Sequence, residues 1–154
     1  MKLKKIVSGG QSGVDRAALD AAIASGLEHG GWCPKGRRAE DGRIAECYHL
    51  DETPRVGYQK RTAWNVRDSD GTLILVRRRL QGGSRYTRQC ALLQKRPFLV
   101  ASLDDEQAIA SVRLWIEEHS IETLNIAGPR ASSAPGIYAD TRRFLEALLE
   151  VLPS

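Results

Sequence analysis

The sequence predicts an α/β fold of Rossmann-like, three-layer type, with a mostly parallel sheet and helices on both faces. Three observations predict it. Short apolar runs alternate with amphipathic stretches of helical period along the whole chain. Glycine-rich segments follow several of the apolar runs, where a strand must turn into a helix. Strands that alternate with helices in this way can pair only through crossovers, which makes them parallel. With 154 residues, residues 1–154 suit one such ligand-binding domain.

Taken in order, Leu3–Ser8 reads as a buried strand, GGQSGVD as a turn, and Arg16–Leu27 as a helix packed through Ala17, Leu19, Ala22 and Ile23. GGWC (Gly30–Cys33) is the expected second strand, followed by an irregular polar loop that begins PKGRRAEDG and continues towards Tyr48. Tyr58–Arg67 reads as a helix ending at the turn DSDG, where Asp68 and Asp70 suit turn and capping roles. Thr72–Val76 is the clearest buried strand. A helix over Ser84–Arg96 stops at Pro97, and Phe98–Ala101 forms the next strand. Ser102 is the expected N-cap of a helix reaching about His119, with Asp104, Asp105 and Glu106 in its first turn. Thr123–Ala127 is the fifth strand, and Tyr138–Leu152 the closing helix.

Composition narrows the function. The chain is 42% hydrophobic and 27% charged, the ordinary globular range. Its first residues reach glycine too soon for a secretion signal and no run could span a bilayer, so a cytoplasmic protein without membrane contact is expected. Cys33, Cys47 and Cys90 form no C-x-x-C pair, and His29, His49 and His119 lack ligand spacing, so neither a disulfide framework nor a protein-ligated metal is expected. A net charge of +4 falls short of the dense basic stripe of a nucleic-acid binder, and no nucleic-acid partner is expected. The cations are 17 Arg against 6 Lys, and arginine makes planar two-pronged contacts with phosphate and carboxylate. Trp32, Trp64 and Trp115 suit either core positions or the interface of a homo-oligomer, which is the expected assembly.

In open parallel sheets ligands bind beyond the carboxyl ends of the strands. Four loops there combine glycine or proline with amide, hydroxyl or basic side chains, the chemistry that backbone approach to an anion requires. They supply Gly9, Gly10, Gln11, Ser12 and Gly13; Lys35 and Arg38; Gly82, Gly83, Ser84 and Thr87; and Gly128, Arg130 and Ser132. Arg61 completes the set. It shares a helix face with Tyr58 and Asn65, at the end expected near the ligand. As an exposed residue its loss should weaken binding and leave stability almost unchanged. NAD is not indicated, because GGQSGVD is not G-x-G-x-x-G and Cys33-Pro34-Lys35 stands where an acid would meet the ribose. There is no P-loop motif. The partner expected is therefore a small anionic ligand.

The segments GGQSGVDRAALDAA, GGWCPKGRRAEDG, YQKRTAWNVRDSDGTLIL, LQGGSRYT and LNIAGPRASSAPGIY, spread over nearly the whole chain, resemble the molybdenum cofactor carrier family. That family is a circularly permuted branch of the Rossmann-like superfamily that includes the lysine decarboxylase-like cytokinin phosphoribohydrolases. The resemblance implies a binding or carrier protein for a phosphate-bearing molecule, either molybdenum cofactor (molybdopterin) or a nucleotide. Its alternatives are an N-glycosidic hydrolase of nucleoside monophosphates and a nucleotide sensor. Enzymes of the superfamily carry an Arg on a helix before a strand, matched here by Arg61 and by Asp70 nine residues on, then P-G-G-x-G-T-x-x-E. At the glutamate position this chain has Gln89 or Cys90, so the resemblance supports the pocket more than the reaction and names no catalytic residue. Arg77–Arg79 lies outside the family pattern. An acid brought near Ser84 by folding, Asp15 or Glu40, would favour the enzyme.

Overall fold

The protein is described by a computed structural model of residues 2–153. Buried β1 (Lys5–Val7) leads through the first glycine loop into α1 (Val14–Ser25), whose alanine-rich face is fully enclosed. Gly26 ends that helix in the left-handed conformation, its N–H reaching the carbonyls of Ala22 and Ile23, a cap that glycine adopts without strain. The helix therefore begins and ends two residues before the expected Arg16–Leu27.

The second strand, β2, is Glu28–Gly30 rather than Gly30–Cys33. Gly31, with φ +125°, turns the chain away where a Cβ would lie 2.4 Å from the Ser8 carbonyl oxygen. Trp32–Cys33 becomes a separate strand, β3. The segment that follows forms β4 (Arg38–Ala39), β5 (Gly42–Arg43) and β6 (Asp51–Glu52). β4 and β5 pair antiparallel, and β3 pairs with β6 in parallel.

The remaining elements are α2 (Tyr58–Arg67), β7 (Gly71–Val76), α3 (Gly82–Gln94), β8 (Phe98–Ser102), α4 (Ala108–Glu118), β9 (Thr123–Ala127), a short 3₁₀ turn (Ala131–Ser133) and α5 (Ile137–Val151). Ser102 is not the N-cap of α4. It closes β8, and its hydroxyl donates to the Arg77 carbonyl at 2.5 Å, while α4 starts at Ala108 after a turn in which the Asp105 carboxylate accepts from the Gln107 N–H.

The five main strands lie in the order β2-β1-β9-β7-β8, every pair parallel. α1, α4 and α5 pack on one face; α2 and α3 cover the other. This is the three-layer α/β arrangement that the alternating elements predict. The larger core lies under the first face, built from Ile6, Leu73, Leu75, Leu124 and Ile126 of the sheet and Val14, Ala18, Val112 and Leu145 of the helices. Trp115 joins it at 8% exposure, whereas Trp32 and Trp64 meet edge to face at 4.7 Å near the surface. Asp70 works at the amino end of the sheet, its carboxylate accepting the N–H groups of Glu122 and Thr123 at 3.0 and 2.9 Å. Asp68 accepts from the Trp32 indole at 2.8 Å. Among the described residues no helix is long and apolar enough to cross a membrane.

Candidate functional site

At the carboxyl edge of the sheet the loops leaving β1, β7 and β9 stand around a cleft of about 1180 Å³, roofed by the first turns of α2 and α3. That volume exceeds the roughly 300–1,000 Å³ usual for small-molecule sites. Gly9 and Gln11 line it from the first loop, Arg61 from α2, Gly82, Gly83, Ser84 and Thr87 from α3, and Gly128 and Arg130 from the last loop. The first turn of α3 has no acidic residue and no side-chain cap. Space beside Gly82 and Gly83 is open, with nothing within 4 Å of where a Cβ would stand. The N–H of Ser84 donates to the Gln81 carbonyl at 3.1 Å, while those of Gly82 and Gly83 have no main-chain acceptor among the described residues and are accessible to an anion.

The other predicted residues lie outside the lining. Gly10, at φ +75°, faces Ile44 and Leu50 of the neighbouring segment, and Gly13 lies against the backbone of Pro129–Ala131. Both serve close packing. Lys35 and Arg38 are exposed on the β4–β5 side of the molecule and do not reach the cleft. Ser12 and Ser132 are engaged by Glu40: the carboxylate accepts both hydroxyls and, at 3.1 Å, the Ser132 N–H, with Arg130 Nε at 3.6 Å. The Gln11 side-chain oxygen accepts the N–H groups of Ser12 and Glu40 at 3.0 and 2.8 Å. Glu40 thus joins three loops, and the hydroxyls hold its carboxyl below the usual carboxylate range, those of Ser12 and Ser132 contributing most. A depressed carboxyl stabilises the fold above its unfolded pKa, and the contribution disappears as pH falls through the folded value. Glu40→Gln should therefore destabilise the protein at neutral pH and cost progressively less below about pH 4.3. Thermal unfolding of both proteins between pH 3 and 7 checks this; a pH-independent difference would contradict it.

Arg61 is not the exposed helix residue that spacing suggests. It is 9% exposed; Nη1 donates to the Gly9 carbonyl at 2.8 Å and lies 3.5 Å from Asp15 Oδ2. Its guanidinium carbon stands 5.1 Å from the centre of the Tyr58 ring, within the range of a cation–π contact. Gly9 is required by this approach, since a Cβ there would fall 2.2 Å from Arg61 Nη1. Asn65, on the same face, is spent on structure, clasping the main chain of Trp32 through Oδ1 and Nδ2 at 2.8 and 3.0 Å.

The lining also holds Asp15, one of the two acids singled out in the sequence, together with residues that sequence reasoning missed. Asp15 reaches the cleft from α1 and is buried; burial pushes its carboxyl above the usual range, and Arg61 opposes that shift. An acid in the first turn after a glycine loop was the available signal. Asn125, which donates to Thr72 Oγ1 at 3.2 Å from the middle of β9, is a lone polar residue in an apolar strand, a second usable signal. Arg77, Arg78 and Arg79 also line the cleft, although Arg77 is tied to Asp140 at 2.7 Å and to the Pro135 carbonyl at 2.8 Å. Glu40, the other acid considered for a place near Ser84, does not line it. The described residues contain no cluster of three or more His, Cys, Asp or Glu side chains able to hold a metal ion.

The sequence model of the circularly permutated YpsA SLOG family matches residues 6–149. The chain belongs to that family. A solved structure similar to this circularly permutated YpsA protein is the crystal structure, at 1.45 Å, of a putative molybdenum carrier protein from Syntrophus aciditrophicus SB. The two chains are 49% identical, the match covers 96% of each, and the TM-score is 0.94. No curated protein matches the chain. The resemblance read from the glycine-rich segments is thereby established at the level of family and fold, and the cleft of this SLOG protein lies where its sheet topology places ligands.

Proposed function

We propose that the cleft binds a small phosphate-bearing molecule and that the protein is a carrier or binding protein for a molybdopterin-type cofactor or a nucleotide. One observation carries this reading: the open amino end of α3 converges on a single cleft with Arg61, Arg78, Arg79 and Arg130. Partial positive charge from the helix and planar cations suit a phosphate group. The 49% identical relative named for molybdenum carriage adds weight to the cofactor over the nucleotide. A molybdopterin-type group would be held through its phosphate at the N–H groups of Gly82 and Gly83 and at Arg130, and through its heterocycle at the Gln11 and Asn125 side chains.

Mass spectrometry of small molecules released from the purified protein tests the reading. A phosphate-bearing pterin or nucleotide is expected, and its rebinding should be competed by inorganic phosphate and weakened by salt. A neutral ligand, or one indifferent to phosphate, would overturn it.

A second reading, hydrolysis of a nucleoside monophosphate, draws support from Asp15, a protonatable carboxyl in the same cleft as Ser84. A carboxyl with a raised pKa suits proton transfer at a glycosidic bond. Release of free base from nucleoside 5′-monophosphates, abolished in Asp15→Asn, would establish it. The carrier reading expects no release.

A further inference from the structure

Charge is distributed unevenly along this chain. From Gly71 to Leu103 there is no Asp or Glu and there are seven Lys or Arg, so against a total of +4 the remainder carries a net −3. Three of the seven have evident structural places. Arg77 pairs with Asp140, Arg96 donates to the carbonyls of Ser69 and Arg67, and Lys95 caps α3. The other four, Arg78, Arg79, Arg85 and Arg88, are exposed and form no ion pair among the described residues.

These unneutralised cations are interleaved with apolar groups. Arg85, Arg88 and Leu92 lie three and four residues apart on one face of α3, and with Arg79, Leu80 and Gln89 they line a shallow groove. Leu92 is 52% exposed, and Leu93 beside it is 76% exposed. Arg79 lines both this groove and the cleft, so the groove begins at the mouth of the cleft and runs along α3.

We propose that this face docks an acidic amphipathic helix of a partner protein, with carboxylates on the arginines and leucine-like side chains on Leu80 and Leu92. Three arguments select that occupant. A second copy would set guanidinium groups against guanidinium groups, because a two-fold interface presents the same patch from both sides. Sites for single-stranded nucleic acid interleave cations with exposed aromatic platforms, whereas Tyr86, the one aromatic residue of α3, packs inward beside Val66 and Cys90. Arginine mixed with apolar side chains is the composition of protein interfaces, and a helix laid in a groove anchors at just this spacing. The position next to the cleft mouth would put the partner where a ligand enters or leaves. The proposal does not depend on which ligand the cleft takes.

Fluorescence anisotropy of the full chain tests it, using a labelled helical peptide of about 20 residues with Glu and Leu on one face. A charge-matched peptide with Ser for Leu and a single-stranded DNA of similar charge serve as competitors. The leucine peptide should bind at least about fivefold more tightly than the serine peptide and more tightly than the DNA, with affinity falling as salt rises. The double variant Arg85→Glu/Arg88→Glu should lose about tenfold or more, and Leu92→Ser should remove the preference for leucine. Since all three side chains are exposed, melting temperature should be unchanged. Equal binding of the two peptides, an unaffected double variant, or tighter binding of DNA would each overturn the proposal.

Discussion

Replacing Arg61 by alanine should lower the stability of the free protein by about 2–4 kcal/mol, enough to move Tm by several degrees in a chain of this size. The guanidinium is buried between the Gly9 carbonyl and Asp15, so its removal leaves the Gly9 carbonyl without this donor, Asp15 without its counter-charge, and a void under Tyr58. Asp15 limits the loss. Burial has already raised its carboxyl, and without Arg61 it rises further, so the group can fold as the neutral acid. A raised carboxyl contributes its full stability below the unfolded pKa and loses it as pH rises through the folded value. The deficit of Arg61→Ala should therefore grow with pH, and adding Asp15→Asn should recover part of it. Arg61→Lys should restore charge without the paired geometry. Urea unfolding at pH 5 and pH 8 measures each effect, and a variant as stable as the wild type would show that the pair contributes nothing. The expectation of an almost neutral substitution, drawn from helix spacing alone, is thus reversed by the burial of this side chain.

Arg37→Ala should be as costly, about 3 kcal/mol, for a different reason. Arg37 is 6% exposed and donates to the carbonyl oxygens of Ile44, Ala45, Tyr48 and Leu50 at 3.0, 2.7, 2.8 and 3.4 Å. Its closest carboxylate, Glu46, stands 4.0 Å away and is largely exposed. The guanidinium thus replaces water for four main-chain acceptors, and alanine would leave them to resolvate by opening the segment. Lysine cannot span the same acceptors. Limited proteolysis should cut residues 34–57 of Arg37→Ala first, and resistance equal to wild type would refute the account. Gly10 packs on Ile44 and Leu50, so loosening should reach the first glycine loop as well.

Legibility in the sequence followed periodicity. Tyr58–Arg67 and Thr123–Ala127 fall where expected because each is a regular pattern bounded by turn chemistry. β2 is harder to read: Glu28–His29–Gly30 is a polar strand at the edge of the sheet, paired with β1, so little apolar signal marks it. The segment after Cys33 has no period at all. Among the contacts that hold it are one arginine that binds carbonyls, Glu40, and side-chain bonds from Asp41 and Tyr48 to α1, and none leaves a trace that distinguishes it from an anion-binding loop. The same ambiguity separates the candidate residues. Gly82 and Gly83 keep open space beside them, whereas Gly10 and Gly13 are glycine because neighbouring groups crowd them. Composition cannot tell these apart, since both needs select the same residue. Arg61 was placed at the right end of the right helix, but spacing says nothing of depth, and depth turns it from a surface cation into part of the frame.

The place of β9 governs how the molecule can be made. β1 with β2, and β7 with β8, are joined through helices close in sequence and can form early as separate halves. The strand between them, Thr123–Ala127, comes late in the chain and pairs with both β1 and β7. Until it leaves the ribosome the two halves share no hydrogen-bonded edge, and β1 and β7 each present an open side on which another nascent chain could add. Closure depends on contacts between residues far apart in sequence, which slows folding. The cleft comes into being at that same moment, since its walls belong to different halves. The two walls therefore meet only after Thr123–Ala127 has paired with β1 and β7, and a chain halted before Thr123 would hold its first glycine loops with nowhere to converge.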